Sequence, residues 1–202
     1  NKSDSIVFIK IMSQRISHLI GNGPSKDYFK NDPEGDVYGC NFGTPGIQTK
    51  ANFIHDRRPL MHLLKKEAFW IDACDNTTDT IILRTNYLRI STILQQKKLL
   101  DKEKIIPLPK KIREKTSGHD GLLYLLYCAE EDYQEVHLWG FDSLVNGKVD
   151  SDSVGKIGGS NPQQRRVPGW RQRFQQIFAH TKGKPNKTIF LHCDETTTKK
   201  IG

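Results

Sequence analysis

Short apolar runs alternate with amphipathic stretches along the chain, and this alternation predicts an α/β fold with a mainly parallel sheet. The apolar runs are rich in β-branched residues and are bounded by polar residues or glycine, as buried strands are. The predicted strands are Ile6–Ile11, Ser17–Ile20, Asp36–Cys40, Ala51–His55, Ala68–Ile71, Thr80–Leu83, Glu135–Trp139 and Thr188–His192.

The amphipathic stretches have the spacing of helices, as Leu122, Leu125 and Leu126 illustrate. The predicted helices are Pro59–Lys66, Tyr87–Leu99, Gly118–Glu131 and Gly169–His180. Two segments are predicted to be loops: Asp101–Lys115, which carries prolines and charges, and Ser143–Pro168, which is rich in Gly, Ser and Asn. A loop as long as the second one is usually functional or disordered in a compact domain.

The size and composition are those of a globular domain. A chain of 202 residues is long enough to bury a core without disulfides or metals, and its 36% of hydrophobic residues exceeds that of disordered chains. No apolar run approaches the roughly 18 residues of a membrane-spanning helix. The charged-then-apolar start of a signal peptide is also absent from the sequence.

The four cysteines are Cys40, Cys74, Cys128 and Cys193. They lie far apart, and no two of them form the Cys-x-x-Cys pair of a zinc knuckle. We expect free thiols, most of them buried.

The formal net charge of +8 is concentrated in one segment. Ser153–Cys193 contains eight Lys and Arg residues and no Asp or Glu, while the remainder of the chain is balanced in charge. A basic surface of this kind indicates an anionic partner, such as a nucleic acid, a membrane surface or a phosphate-bearing substrate.

The most informative local motif is GNGPS at residues 21–25, which follows a predicted strand. Gly21 and Gly23 allow a sharp turn and a close approach of the backbone to a ligand, and Ser25 is a candidate helix cap or phosphate contact. The motif lacks the third glycine of a dinucleotide fingerprint and the Gly-Lys-Ser/Thr of a P-loop. Its spacing fits a ligand loop and a simple strand–turn–helix equally well.

Polar residues follow three other predicted strands: Asn41, Asp56 and Asp142. Thr116 and Ser117 precede Gly118 at the start of a predicted helix, where they suit an anion or serve as a plain N-cap. Because the carboxyl ends of parallel strands face one crevice, these groups are expected to converge on a nucleotide-type site.

Taken together, GNGPS, DVYGCN, FIHD, TSG and LWGFD resemble the motifs of the bacterial lipooligosaccharide sialyltransferases, in the same order and at comparable spacing. The resemblance extends from about Ser17 to Ser143. It implies a single Rossmann-like glycosyltransferase domain over residues 1–202, with a nucleotide-binding part at about 15–142, a lid loop at 143–168 and a basic part at 169–202. It also implies a nucleotide-sugar donor and no required metal or other cofactor.

The resemblance assigns the donor pocket residue by residue. The nucleotide-sugar contacts that it implies are Gly21, Asn22, Gly23, Ser25, Asn41, Asp56, Thr116, Ser117 and Gly118. Asp56 stands where the family has Asn. Asp150 and Asp152 have the spacing of a metal-binding pair, but they lie in a Ser/Gly-rich loop, where we expect a solvated turn.

The chain departs from the family in the lid. It has no His between His137 and His180 and no Tyr after Tyr133, whereas the family places its catalytic His and phosphate-binding tyrosines there. Arginines can replace the tyrosines at the leaving phosphate, and a carboxylate or imidazole can serve as base. The catalytic candidates are Asp142, His119, Asp120, Asp56 and Arg166; the acceptor- or phosphate-binding candidates are Arg165, Arg166, Arg171 and Arg173.

The residues from Gln163 to Gln176 combine Arg, Gln and aromatics without an acid, which suits contacts with phosphates and bases. We therefore expect a glycosyltransferase acting on a polyanion, with the hydroxymethylated bases of bacteriophage DNA as candidate acceptor. The alternatives are transfer to a cell-surface glycan and a non-catalytic nucleic-acid-binding protein on a transferase fold. A cytoplasmic location is expected, in the host cytoplasm for a bacteriophage protein.

Overall fold

The computed structural model describes residues 15–30, 34–40, 47–54, 78–83, 92–93, 96, 105–108, 110, 133–146, 167–181 and 188–201. Within these residues the strands are β1 (Ile16–Ile20), β2 (Asp36–Cys40), β3 (Thr49–Ile54), β4 (Thr78–Leu83), β5 (Ile105–Pro107), β6 (Glu135–Trp139), β7 (Thr188–His192) and β8 (Thr198–Ile201). The helices are a 3-10 turn (Pro24–Tyr28), α1 (Ser143–Asn146) and α2 (Val167–Thr181).

All eight strands form one sheet in the order β5-β4-β3-β2-β1-β6-β7-β8. Every neighbouring pair is parallel except β7 and β8. From β1 the chain first proceeds outward through β2 to β5 and then continues on the other side with β6. The predicted α/β fold with a mainly parallel, Rossmann-like sheet is therefore confirmed, and its topological switch point lies between β1 and β6.

The main core lies on one face of the sheet, under α2. Along β6 and β7 every second residue is buried, so that Val136, Leu138 and Leu191 point to this face. Phe174 and Ile177 of α2 pack against them, at the three-residue spacing of one helical face. Burial of these side chains holds α2 against this face, and the ring of Phe174 contacts that of Phe141, just after β6, edge to face.

The strand predictions agree with the structure wherever the two can be compared. The bounds of β2, β6 and β7 match the predicted ranges, while β1, β3 and β4 begin one or two residues earlier than predicted. α2 extends the predicted Gly169–His180 at both ends.

Two strands were missed. β5 lies inside the predicted loop Asp101–Lys115, and β8 was not predicted at all. Both are edge strands, which pair on one side only: β5 has just three residues and ends in proline, and β8 is mostly polar. Pro107 is tolerated at the β5 edge because an edge N–H needs no partner, and Lys199 and Lys200 protect the β8 edge from further pairing.

The predicted loop Ser143–Pro168 is also corrected at its two ends. Its first four residues form α1, and Val167 and Pro168 form the beginning of α2. Proline is favoured in the first turn of a helix because the N–H that it lacks has no partner there.

Several predicted elements lie outside the described residues. These are the strands Ile6–Ile11 and Ala68–Ile71, the helices Pro59–Lys66 and Gly118–Glu131, and most of the helix Tyr87–Leu99. The division into a nucleotide-binding part, a lid and a basic part stays a prediction. No helix in the described ranges has both the length and the apolar character needed to cross a membrane.

Candidate functional site

Two turns meet where β1 and β6 end side by side. The N–H of Gly21 donates to the carbonyl of Trp139 at 2.7 Å, and the N–H of Gly23 donates to the carbonyl of Gly140 at 2.9 Å. The GNGPS motif and the GFD motif thus form a single unit at the switch point. In open parallel sheets this is the position at which ligands bind.

The two turns approach so closely that only glycine fits. A Cβ on Gly21 would lie 2.6 Å from the carbonyl oxygen of Gly140, and a Cβ on Gly140 would lie 2.8 Å from the Gly21 backbone. Gly140 also has a φ of 72°, in the left-handed region that favours glycine. The glycines of both motifs are therefore required by the packing of the turns against each other.

Ser25 and Asp142 join the two turns through their side chains. The Ser25 hydroxyl donates to Oδ2 of Asp142 at 3.0 Å, and the Ser25 N–H lies 3.3 and 3.2 Å from Oδ1 and Oδ2. The same hydroxyl accepts from the N–H of Gly140 at 2.8 Å. Ser25 is 1% exposed and Asp142 7% exposed, so these bonds are shielded from water.

Of the two roles that the sequence offered for Ser25, a helix cap or a phosphate contact, the helix cap is wrong. The 3-10 turn begins after Gly23, which is its N-cap, and no side chain caps it. Pro24 occupies the first position, where its missing N–H costs nothing. The hydroxyl of Ser25 instead binds across to the β6 turn.

Asn22 is the residue of the GNGPS turn whose polar groups remain available. The N–H of Lys26 donates to the carbonyl of Gly23 at 3.2 Å, Pro24 has no N–H, and the other N–H groups of the turn are engaged as described above. No residue in the described ranges forms a hydrogen bond with Asn22, which is half-buried at the tip of the turn. Its backbone N–H and its side-chain amide can both bind a ligand at the carboxyl ends of β1 and β6.

α1 connects this unit to the basic segment. The carbonyl of Asp142 accepts the N–H groups of Val145 and Asn146, so α1 begins directly at the GFD motif. At the other end of α1, Arg171 of α2 donates through Nε to the Leu144 carbonyl at 3.1 Å and through Nη2 to the Val145 carbonyl at 2.7 Å. Arg171 therefore caps α1, and its guanidinium group forms these hydrogen bonds within the fold.

Of the sequence-predicted site residues, the structure brings together Gly21, Asn22, Gly23, Ser25 and Asp142 at the switch point. Arg171 and Arg173 lie on α2, where Arg173 is half-buried with its Nη1 near the start of the helix. The other predicted residues lie outside the described ranges: Asn41, Asp56, Thr116, Ser117, Gly118, His119, Asp120, Arg165 and Arg166.

Sequence analysis missed a cluster of three histidines on the sheet face opposite the main core. His18 of β1, His137 of β6 and His192 of β7 lie on adjacent strands, with ring centroids 4.9 Å apart for the first pair and 5.2 Å for the second. Trp139 stacks on His192 with centroids 3.5 Å apart. Each residue was in a predicted strand, but their alignment follows from the pairing of β1, β6 and β7.

The hydrogen bonds assign the tautomers of two of these rings. Trp139 Nε1–H donates to His18 Nδ1 at 3.2 Å, so that His18 Nε2–H donates to the Glu34 carbonyl at 3.1 Å. His137 Nε2–H donates to the Glu135 carboxylate at 3.3 Å. In its neutral form His137 therefore has an unprotonated Nδ1.

The assignment continues outward through His192. Nε2–H of His192 donates to Nδ1 of His137 at 3.0 Å. Nδ1 of His192 then accepts from the Thr198 hydroxyl, also at 3.0 Å. All of these bonds are satisfied when the three rings are neutral.

Burial keeps the histidines neutral. It lowers the pKa of His18 and of His192 from 6.5 to about 4, and it also lowers the pKa of His137, against the opposing effect of Glu135. The ring nitrogens bond to one another and to their neighbours instead of converging on one point. Within the described residues no group of three or more His, Cys, Asp or Glu side chains is arranged to hold a metal ion.

Two of the four cysteines lie in the described residues, and both are free thiols. Cys40 is fully buried, and burial raises its pKa. Cys193 is half-buried directly after β7. This agrees with the expectation of unpaired thiols for these two positions.

Comparison with known proteins gives one structural similarity. No protein-family model and no curated protein matches the chain. Among solved structures, a variant of the sialyltransferase CST-II in complex with CMP is similar, with 12% sequence identity and a TM-score of 0.47. The similarity covers 89% of this chain and 81% of that chain.

Proposed function

We propose that this protein is a glycosyltransferase that binds a nucleotide-sugar donor at the carboxyl ends of β1 and β6. The observation that carries the proposal is the junction of the GNGPS and GFD turns at the switch point, with the half-buried Asn22 at its tip. The sequence resemblance to sialyltransferases also supports it, because the motifs that form this junction belong to the set that carries the resemblance.

In this proposal Asn22 binds the donor through its backbone N–H and its amide. Gly21 and Gly23 let the donor approach the backbone closely, since neither presents a side chain. Asn41, Asp56 and the Thr116–Gly118 segment complete the nucleotide pocket by resemblance to the family. We expect that no metal is required, because the N–H of Asn22 and arginines such as Arg165 and Arg166 can supply the donors and the positive charge that a leaving phosphate needs.

The donor half of the proposal is tested by thermal unfolding in the presence of CMP-, UDP-, GDP- and TDP-sugars. A specific donor at a hundredfold excess over its dissociation constant stabilises the native state by roughly 2.7 kcal/mol. Hydrolysis of that donor, measured by nucleotide release, then identifies the activity. Absence of any shift with the whole panel, for a folded protein, would contradict the proposal.

We further propose a polyanionic acceptor, with the hydroxymethylated bases of bacteriophage DNA as the candidate. The support is the charge distribution, since the whole net charge of +8 arises from Ser153–Cys193. α2 belongs to this segment, and Gln172, Gln175 and Gln176 are exposed on it. A neutral glycan acceptor gives no physical reason for a segment of this length without an acid.

Transfer from the identified donor to hydroxymethylcytosine DNA, with unmodified DNA as control, tests this acceptor. Transfer to lipooligosaccharide without any DNA affinity favours the cell-surface alternative instead. DNA affinity with a steep salt dependence, but with no nucleotide binding, favours a non-catalytic nucleic-acid-binding protein.

A further inference from the structure

We infer that Asp142 is a positioning residue: it holds the GNGPS turn through Ser25 in the conformation that receives the donor, and it is not the base of the reaction. The inference rests on the proposed donor site. It replaces the roles that the sequence suggested for these residues, which are a catalytic carboxylate for Asp142 and a phosphate-binding hydroxyl for Ser25.

Both carboxylate oxygens of Asp142 face Ser25. Oδ2 accepts the Ser25 hydroxyl at 3.0 Å, and the Ser25 N–H is shared between Oδ2 at 3.2 Å and Oδ1 at 3.3 Å. The residue is 7% exposed. A general base must reach the proton of the acceptor hydroxyl. A carboxylate turned inward onto Ser25 is poorly placed for that task.

The hydroxyl of Ser25 is likewise committed to the fold. Its one proton is donated to Asp142, and it accepts the N–H of Gly140 at 2.8 Å, while the residue is 1% exposed. A phosphate would have to displace both bonds to reach it. The hydroxyl therefore acts as a bridge between the two turns, and Asn22 remains the ligand-facing residue of the motif.

We call Ser25 together with Asp142 the clasp. Its hydrogen bonds are energetically favourable, and they also favour donor binding. A buried carboxylate is tolerated only when it is hydrogen-bonded, and charge-assisted bonds are the stronger ones. A turn ordered before the donor arrives does not need to be ordered on binding, which increases affinity. Loss of either the Ser25 hydroxyl or the Asp142 carboxylate should therefore make the GNGPS turn less ordered and, at the same time, lower the affinity for the nucleotide.

The test compares Asp142→Asn and Ser25→Ala with the control Ser17→Ala. Ser17 is fully buried at the other end of β1, where its hydroxyl is 3.5 Å from the Glu135 carbonyl. The control thus makes the same substitution, removal of a buried serine hydroxyl, at a position distant from the turn. Asp142→Asn keeps the shape of the side chain but replaces one accepting oxygen with a donor.

Three measurements are made on each folded variant. The first is amide hydrogen exchange of residues 21–28, the second is calorimetric titration with CMP, UDP, GDP and TDP, and the third is hydrolysis of the donor, measured by nucleotide release. We expect faster exchange and about tenfold weaker binding of the nucleotide that binds the wild type, in both clasp variants but not in Ser17→Ala. The double variant should be little worse than the single ones, because both remove the same interaction.

Different results overturn different statements. Unchanged exchange of residues 21–28 in both clasp variants overturns the clasp. Wild-type affinity with loss of donor hydrolysis in Asp142→Asn overturns the positioning role and identifies a base. Faster exchange combined with a wild-type protein that binds none of the four nucleotides overturns the proposed donor site, and with it the purpose of the clasp.

Discussion

Gly23 lies against Asp142 so closely that a Cβ on the glycine would be 2.1 Å from Oδ2 of the carboxylate. Such a Cβ would also lie 2.8 Å from the Gly140 carbonyl oxygen. Gly23→Ala must therefore push the carboxylate or the turn aside. We expect a loss of about 1–3 kcal/mol in the free energy of unfolding, measured by urea titration and circular dichroism.

Gly169→Ala is the matched control for this prediction. Gly169 lies in α2, and the nearest atom to an added Cβ is Arg173 Nη1 at an ordinary contact distance of 3.6 Å. Alanine favours a helix over glycine, so this variant should be stabilised by about 0.5–1 kcal/mol. Equal losses in Gly23→Ala and Gly169→Ala would contradict the close packing of the two turns.

Arg171 should contribute to stability through the cap that it places on α1. Its guanidinium binds the carbonyls of Leu144 and Val145, and hydrogen bonds of a charged donor contribute about 1.5–3 kcal/mol. Arg171→Lys keeps the charge but loses the planar fork. We expect a loss of about 1–2 kcal/mol in this variant, by thermal and urea unfolding.

Gln175→Ala, at an exposed position of the same helix, is the control and should change stability by less than about 0.5 kcal/mol. A role in acceptor binding predicts a different outcome for Arg171→Lys. In that case Arg171 would not be needed for the fold, so the variant would unfold like the wild type, and its retained charge would still attract a polyanion.

Acid should destabilise the fold through its histidines. The pKa values of His18 and His192 are about 4 in the folded protein, against 6.5 for an ordinary histidine, so the unfolded chain binds more protons between these values. Their contribution to stability is therefore intact above about pH 6.5 and decreases as the pH falls toward 4. Tm measured from pH 7 to pH 4 should fall accordingly.

His192→Gln tests whether the histidine cluster causes this loss. Glutamine cannot be protonated, so the fall in Tm between pH 6.5 and pH 4 should be shallower than in the wild type. The variant also loses the stack on Trp139 and should be less stable by about 1 kcal/mol at pH 7. Parallel Tm profiles for the two proteins would rule out His192 as a source of the acid sensitivity.

Asn22→Ala should weaken nucleotide binding without weakening the fold. Asn22 forms no hydrogen bond within the described residues, so its truncation leaves no buried group unsatisfied. We expect about tenfold lower affinity for the donor nucleotide in calorimetry and an unchanged Tm. Gln172→Ala, exposed on α2, is the control for surface substitutions and should bind the nucleotide as the wild type does.

The elements that sequence patterns predicted well are the central ones. β2, β6 and β7 are short runs that contain apolar and β-branched residues, and each pairs with a neighbouring strand on both sides, so their apolar pattern leaves a strong signal. β5 and β8 lie at the edges, where polar residues and proline are tolerated and the signal is lost. The prediction failed for a three-residue strand that ends in proline and for a mostly polar strand.

Within the candidate site, the sequence predicted which residues gather at the carboxyl ends of the strands, and it did so for GNGPS and Asp142. It did not predict how they divide their tasks. Ser25 and Asp142 are 117 positions apart, and only the pairing of β1 with β6 brings the hydroxyl and the carboxylate into contact.

The sequence by itself thus determined the type of fold, the position of the glycine turn and the concentration of positive charge in one segment. These are properties of local pattern and composition. The tertiary structure decided strand order, strand register and burial, because these depend on contacts between distant residues. Those three features turn Ser25 and Asp142 toward each other, align three histidines across β1, β6 and β7, and leave Asn22 at the tip of the turn.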